Sequence, residues 1–293
     1  MSINNEFCEE KIQSPLQYTW SIFKTNSIAF TAMWGAIILI FIAMFADFIT
    51  PEPASQQYLL PPYWADGGNS VHLLGTDALG RDSLARLLEG VQLTLGGALL
   101  ITFAVSILGT IIGASAALTK GVKASILHHL LDALLIIPTL LTALILIVVF
   151  GASYENSLIA VSLSLLPKFI RGIYFTIENE LNKQYIISLR LDGATNLRLL
   201  RFGIFPNIME PIVTLLNNIF TLAILEISTL GFLGFGSQFL DAELGALIAG
   251  NIELVFSSPW LVLFPGLAIF LIILIFNIFA EGLRHAIIKV EDE

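Results

Sequence analysis

Ionisable side chains are scarce in this chain, so their positions carry information. Of 293 residues only 13% are charged and 56% are hydrophobic, against roughly a quarter charged in ordinary globular domains. Three groups have residue types and spacings that point to chemistry. The first is Tyr185–Asn207, YIISLRLDGATNLRLLRFGIFPN, which sets Arg190, Arg198 and Arg201 between strongly apolar segments. Such a cationic surface can hold lipid headgroups or dock a soluble partner. The second is Glu226, the one acidic residue well inside an apolar run. A carboxylate there is costly and is a functional candidate by default. It can draw a cation along a path or bond a neighbouring helix. The third is Gly75-Thr76-Asp77 with Gly80-Arg81-Asp82, where Asp77, Arg81 and Asp82 can form an ion-pair cluster. Clusters of that kind fix conformation more than they stabilise.

Other chemistries lack their residues. No GxxxxGK[ST] pattern occurs, so no P-loop nucleotide site is expected on this chain. No nucleophile–base arrangement, catalytic set or nucleic-acid surface is visible, and no cofactor is expected. His128 and His129 are adjacent, so they project from different helical faces, with no Cys or carboxylate set nearby for a metal. The single Cys8 excludes an internal disulfide. The net charge of −9 says little about partners, because Glu6, Glu9, Glu10 and Glu291-Asp292-Glu293 supply much of it at the two ends.

The elements that must position these groups are membrane helices. A soluble fold of this size has no use for several runs of about twenty apolar residues. The runs are continuous rather than alternating, which argues against a β-barrel. The chain reads as an all-α polytopic membrane protein with six transmembrane helices, at about 28–49, 93–118, 131–150, 157–176, 207–230 and 260–282. In the N-terminal segment, 1–27, Tyr18, Trp20, Ile22 and Phe23 predict a short interfacial helix. The first thirty residues lack a cleaved-signal pattern, so the first span is expected to act as an uncleaved insertion signal. Pro51 and Pro53 end that span. The insertion 50–92 closes on Leu84, Leu87 and Leu88, which share a helical face. Gly109 and Gly113 form a small-xxx-small pair that permits close helix approach. Thr119–His129 reads as a short loop carrying Lys120 and Lys123. Asp132 suits a helix N-terminus, Pro138 interrupts the third span, and Lys168 and Arg171 are expected to snorkel to headgroups.

With six spans both termini share a side. Twelve basic residues, from Lys11 to Lys289, then fall on that side and only Arg81 and Arg86 on the other. The bias makes the terminal side cytoplasmic, together with the loop 177–206 and the tail 283–293. Within that loop the pattern reads helix, turn, helix. Tyr185–Leu191 forms the first helix and Gly193 its left-handed cap. Thr195 caps the second, where Leu197, Leu200 and Ile204 recur at helical spacing and Arg198 and Arg201 occupy another face. Pro206 restarts the chain. Beyond it, Asn217 and Asn218 can line a path or act as interhelical glue.

Gly193 and Pro206, with twelve residues between them, resemble the Gly…Pro half of the "EAA" loop of ABC importer permeases. The family's Glu-Ala-Ala falls here on Ile187, Ser188 and Leu189, so its acidic residue is absent. LGTDALGRD, Leu74 to Asp82, is similar to the LGTDxxGRD signature of the dipeptide/oligopeptide permease family. TLGFLGFGSQ, Thr229 to Gln238, resembles that family's LSFLGLG segment. Leu244 stands where the family often has Trp before a glycine, kept here as Gly245. Ser258-Pro259-Trp260, Phe264-Pro265-Gly266 and Asn277–Arg284 resemble its last span. RLDGA at Arg190–Ala194 and the missing Glu place the resemblance nearest the SapC branch, permeases of the "sensitivity to antimicrobial peptides" system.

The resemblance implies a fold and a setting: the ABC type I importer (MetI-like) permease, multi-pass in the bacterial inner membrane with both termini cytoplasmic. It implies as partners a second homologous permease, two ATP-binding subunits and a periplasmic substrate-binding protein, with membrane lipid around them. Peptides, including cationic host-defence peptides, would be the substrate, moved by alternating access. The ATPase-coupling residues would be Tyr185, Arg190, Asp192, Gly193, Asn196, Leu197, Arg198, Arg201, Pro206 and Asn207. Glu226, Asn217 and Asn218 would be pathway candidates. The outer signature, Gly75, Thr76, Asp77, Gly80, Arg81 and Asp82, would shape the outer surface or seat the binding protein. A polyamine exporter of the same architecture and a proton-coupled carrier using Glu226 are the alternatives.

Overall fold

The computed structural model describes residues 15–49, 61–62, 72–77, 79–119, 122–236 and 242–291. Expectations that rest on Glu6, Cys8, Glu9, Glu10, Lys11, Pro51, Pro53, Lys120, Gln238, Asp292 and Glu293 lie outside the described residues. The helices are α1 (Pro15–Thr25), α2 (Ser27–Ile49), α3 (Ser83–Leu118), α4 (Val122–Leu135), α5 (Thr139–Phe150), α6 (Tyr154–Leu181), α7 (Gln184–Leu191), α8 (Asn196–Arg198), α9 (Met209–Phe232), α10 (Leu244–Gly250) and α11 (Trp260–Glu291). Among the described residues five helical stretches are long and apolar enough to cross a membrane, and a sharply bent pair makes a sixth. Large apolar side chains such as Phe41, Phe103, Ile111, Val148 and Phe270 are more than half exposed, a surface suited to lipid.

That bent pair stands where the third span is expected. Its two pieces, His129–Leu135 and Thr139–Phe150, meet at 88°. Pro138 has no N–H to donate and disfavours the helical conformation in the residue before it, so the helix stops and restarts there. At 12 residues, α5 extends about 18 Å, short of a hydrocarbon core of about 30 Å. The expected loop Thr119–His129 is instead helical from Val122, a stretch with no Gly or Pro to stop it. Asp132 therefore does not open a helix. It lies near the C-terminal end of α4 and pairs with Arg171 of α6. Arg171, expected to reach for headgroups, is half-buried and held by that pair, with its guanidinium 5.2 Å from the Phe175 ring centre.

Packing centres on α3. Gly97 leaves room for Tyr154 and Leu158, and Gly109 lies on the ring of Phe169. At Gly113 a Cβ would come 2.9 Å from the Ile170 carbonyl oxygen. The missing side chains let α3 and α6 pack closely, with backbone against backbone at Gly113 and α6 side chains seated at Gly97 and Gly109, the kind of fit that stabilises helix pairs in lipid. The Tyr154 hydroxyl donates to the Leu93 carbonyl at 2.6 Å. Leu95, Ile101 and Val105 of α3, Phe169, Ile173 and Ile177 of α6, and Ile219, Ile224 and Ile227 of α9 fill the core. α1 rests on α2 and α11, where Phe23 meets Phe279 edge-on and Ala29 packs on Gly282.

The α3–α6 contact is directly testable. Gly113→Leu should lower stability by about 1–3 kcal/mol through overpacking, read as a lower midpoint of thermal unfolding in detergent. Gly96→Leu, on the same helix with nothing within 4 Å of its Cβ position, should leave the midpoint unchanged.

Candidate functional site

The two ends of the bundle differ. One holds the turn Gly75–Asp82 and the start of α6, and the other holds the loop between α6 and α9. At the loop end, α7 finishes in a Schellman cap: the Gly193 amide donates to the Arg190 carbonyl and the Ala194 amide to the Leu189 carbonyl. Gly193 has φ +81°, in the left-handed region that a side chain disfavours. The Thr195 hydroxyl then accepts the Arg198 amide at 3.4 Å and starts α8.

Beyond Arg198 the chain departs from the expected pattern. It widens into a π-helical turn over Leu199–Ile204 and tightens into a 3-10 turn over Phe205–Ile208. The wider turn rotates the side chains relative to an α-helix. Leu199 and Ile204 are buried, while Leu197, expected to share a face with Leu200 and Ile204, is 76% exposed. Pro206 stands in the first turn of the 3-10 segment, as expected, but that segment lies within one helical run, Asn196–Phe232, of 37 residues. The change of helix type accommodates a residue with no N–H.

A polar hub fixes this loop to the bundle. The Tyr185 hydroxyl donates to the carboxylate of Glu180, which is 4% exposed. It lies 3.1 Å from the Gly203 carbonyl and accepts from Asn207 Nδ2 at 2.9 Å. Asn207 Nδ2 also donates to Gly203 at 2.9 Å, and Lys183 Nζ lies 2.8 Å from Glu180. Burial, and then the bond to Glu180, pushes the Tyr185 hydroxyl up to about 12, so it stays a neutral donor at physiological pH. The structure thus brings Tyr185 and Asn207 together and leaves Arg190, Asp192, Gly193, Asn196, Leu197, Arg198, Arg201 and Pro206 on the exposed surface. Large apolar groups stand among them: Leu191 is 84% exposed and Phe202 70%. Glu180, Lys183 and Gly203 were missed in the sequence. The available signal was a carboxylate at the end of a span, five residues before a tyrosine.

At the turn end the expected three-residue cluster is two separate devices. Asp77 accepts the Leu79 and Arg81 amides, each at 2.9 Å, and pairs with Arg81 Nε at 2.8 Å. Asp82 instead caps α3, accepting the Ala85 amide at 2.8 Å, and its other oxygen lies 3.1 Å from His72 Nδ1. Gly75 and Gly80 both have φ +76°, and a Thr76–Asp82 bridge closes the turn.

Inside the bundle, the Thr139 hydroxyl donates to Glu226, and the Ser164 hydroxyl lies 3.1 Å from its other oxygen. The carboxylate is 4% exposed and faces the first turn of α5, just past the Pro138 bend. Asn217 Nδ2 donates to Asn277 Oδ1 of α11 at 2.7 Å, and Asn277 also lies 3.3 Å from the Thr221 hydroxyl. Asn218 is exposed.

The hub carries its own prediction. Tyr185→Phe leaves Glu180 buried without its neutral donor, a loss of about 1.5–3 kcal/mol for a bond to a charged group. Amide hydrogen exchange over 184–204 should accelerate while that of α3 is unchanged.

Three comparisons with known proteins bear on the site. Residues 81–289 match the family "Binding-protein-dependent transport system inner membrane component". Residues 14–62 match the "N-terminal TM domain of oligopeptide transport permease C". The peptide transport system permease protein SapC of Escherichia coli O6:H1 is 39% identical over 292 residues, 98% of this chain and 99% of that one. Its namesake in Haemophilus influenzae is 40% identical over 288 residues, 97% and 98% of the two chains. The dipeptide transport system permease protein DppC of Escherichia coli K12 is 37% identical over 278 residues, 94% and 93%. Among solved structures, an inward-facing MetNI methionine ABC transporter chain aligns with TM-score 0.55 at 17% identity, covering 70% of this chain and 97% of that one. That likeness concerns the fold.

Proposed function

Because the chain belongs to the binding-protein-dependent transport system inner membrane component family, we propose that it is one permease of an ATP-driven peptide importer whose Tyr185–Asn207 surface docks an ATP-binding subunit. It is a multi-pass inner-membrane protein of MetI-like fold. The observation that carries the docking assignment is the composition of the loop surface. Leu191, Leu197 and Phe202 project among Arg190, Arg198 and Arg201. Exposed apolar groups beside arginines, on a base fixed by the Tyr185 hub, have the make-up of an interface centre. Lipid alone would not call for the rigid Gly193 cap and the buried Glu180 beneath it.

The loop end then faces the cytoplasm, with both termini, as the excess of basic residues on that side supports. A second, similar permease completes the membrane unit, two ATP-binding subunits sit below it, and an extracytoplasmic binding protein delivers substrate at the turn end. The names of the relatives support peptides as the substrate, cationic host-defence peptides among them. ATP binding closes the ATP-binding pair, the loop moves with its groove, and the permease pair alternates between inward- and outward-facing states. The nucleotide shifts that balance only by binding the two states differently. Asn218, polar and exposed within a span, is suited to the partner permease or the path. Glu226, paired inside the subunit, serves to hold the α5 bend.

The docking assignment is tested with Gly193→Pro and Arg198→Glu. Both chains should insert normally, and the purified complex should retain at least about tenfold less ATP-binding subunit, since interface centres contribute upwards of 1.4 kcal/mol. Normal retention in both would move docking to another surface.

A further inference from the structure

A carboxyl group that neither the loop nor the turn uses lies between α9 and α10. Glu243 is fully buried, at 0% exposure. One of its oxygens accepts the Gly245 amide at 3.3 Å, and the other, Oε2, has no partner. Its walls are backbone. A Cβ on Gly231 of α9 would overlap the carboxyl group, and one on Gly236 would come within 3.2 Å of Oε2. The segment that carries Glu243 is clamped on two further sides. Gly245 lies on the Ser228 carbonyl of α9, and Gly90 of α3 lies on the Ala242 carbonyl. The Leu244 amide donates to the Thr94 hydroxyl of α3 at 3.2 Å. Each close approach to backbone is made at a glycine, so the seam is tight, and Glu243 Oε2 sits in it without a partner, as does the Ser228 hydroxyl of α9.

An ionised carboxylate is strongly disfavoured in such a place. The charged groups on the surrounding helices do not relieve it. Arg86 and Glu89 of α3 lie 3.4 Å apart and face one another. Glu226 of α9 is held by Thr139 and Ser164. α10 has no ionisable side chain, and α11 has none before Glu281. Burial pushes Glu243 up to about 8, opposed only by the Gly245 amide.

We propose that Glu243 is a positioning residue for the transport unit: as a neutral acid it seats α10 against α9, and release of its proton unseats α10. The proposal rests on the reading above only in taking this end of the bundle as the one that opens to substrate. The sign follows from proton linkage. The seated form keeps a proton that the unseated form gives up at the ordinary carboxylate value of 4.5. Seating therefore weakens about tenfold per pH unit from there to about 8, and no further above that.

Amide hydrogen exchange of Leu244–Asn251 in the purified transporter complex, corrected for the intrinsic pH dependence of exchange, measures this directly. Between pH 5.5 and pH 8 protection in the wild type should fall about tenfold per unit. Glu243→Gln, which keeps the shape and cannot ionise, should be equally protected at both ends of the range. A wild-type profile that is flat overturns the proposal, and so does a Glu243→Gln profile with the wild-type slope. The wild-type slope stands as a test even where the variant fails to assemble. The measurement involves neither ATP nor cargo, so it fails or succeeds independently of the docking assignment.

Discussion

Helices in hydrocarbon gain little hydrophobic stabilisation from meeting, because lipid tails are as apolar as their side chains. What holds them is fit, and here the fit is set along α3 by residues that lack a side chain. Gly97, Gly109 and Gly113 admit Tyr154, Phe169 and the backbone at Ile170, and Gly90 admits the carbonyl of Ala242. One helix thus meets α6 along its length and the α10 segment at its end. The long α3 acts as a template, and the positions of α6 and of the α9–α10 seam follow from it. Bulk at Gly90 or Gly113 would press on backbone, and at Gly97 or Gly109 on the side chains of Tyr154, Leu158 and Phe169.

The same scarcity of water governs the polar side chains. Among the described residues several of them tie one helix to another. Asp132 joins α4 to α6, Glu226 joins α9 to α5 and α6, Asn217 joins α9 to α11, and Glu210 meets Arg284 at 3.3 Å. Three of these four ties are on α9. That helix is also continuous with the surface loop, through the π and 3-10 turns, from Asn196 to Phe232. A displacement at Leu197 or Arg198 therefore has a stiff connection to the middle of the bundle, where α9 is bonded to three neighbours. The Tyr185 hub makes the connection two-sided by fastening the loop to the end of α6.

Much of this was legible in the sequence. Apolar runs separated by Gly and Pro gave the helices, since those signals are local. Gly193 and Thr195 announced their caps, because a cap is fixed by a few adjacent residues. The failures have a shared cause. The phase of Leu197 against Leu200 and Ile204 depends on a π-turn, which inserts a residue that no periodicity reveals. Asp132 and Arg171 are 39 residues apart, and His72 and Asp82 are ten apart, so each side chain looked explicable by its own surroundings. Glu243 drew no attention because it stands outside an apolar run. Gly231 of α9 and Gly236 beyond it are brought against the carboxyl group by the fold.

What remains unpaired then bears on transport. A path for a polar substrate needs polar lining, yet Glu226 and Asn217 are committed inside the subunit. Asn218 is left exposed on α9, among large apolar groups such as Leu225. An exposed amide within a span is poorly suited to lipid tails, so that face of α9 is better matched by another protein surface or by water. In the proposed transporter, that face would form one wall of a conduit completed by the second permease.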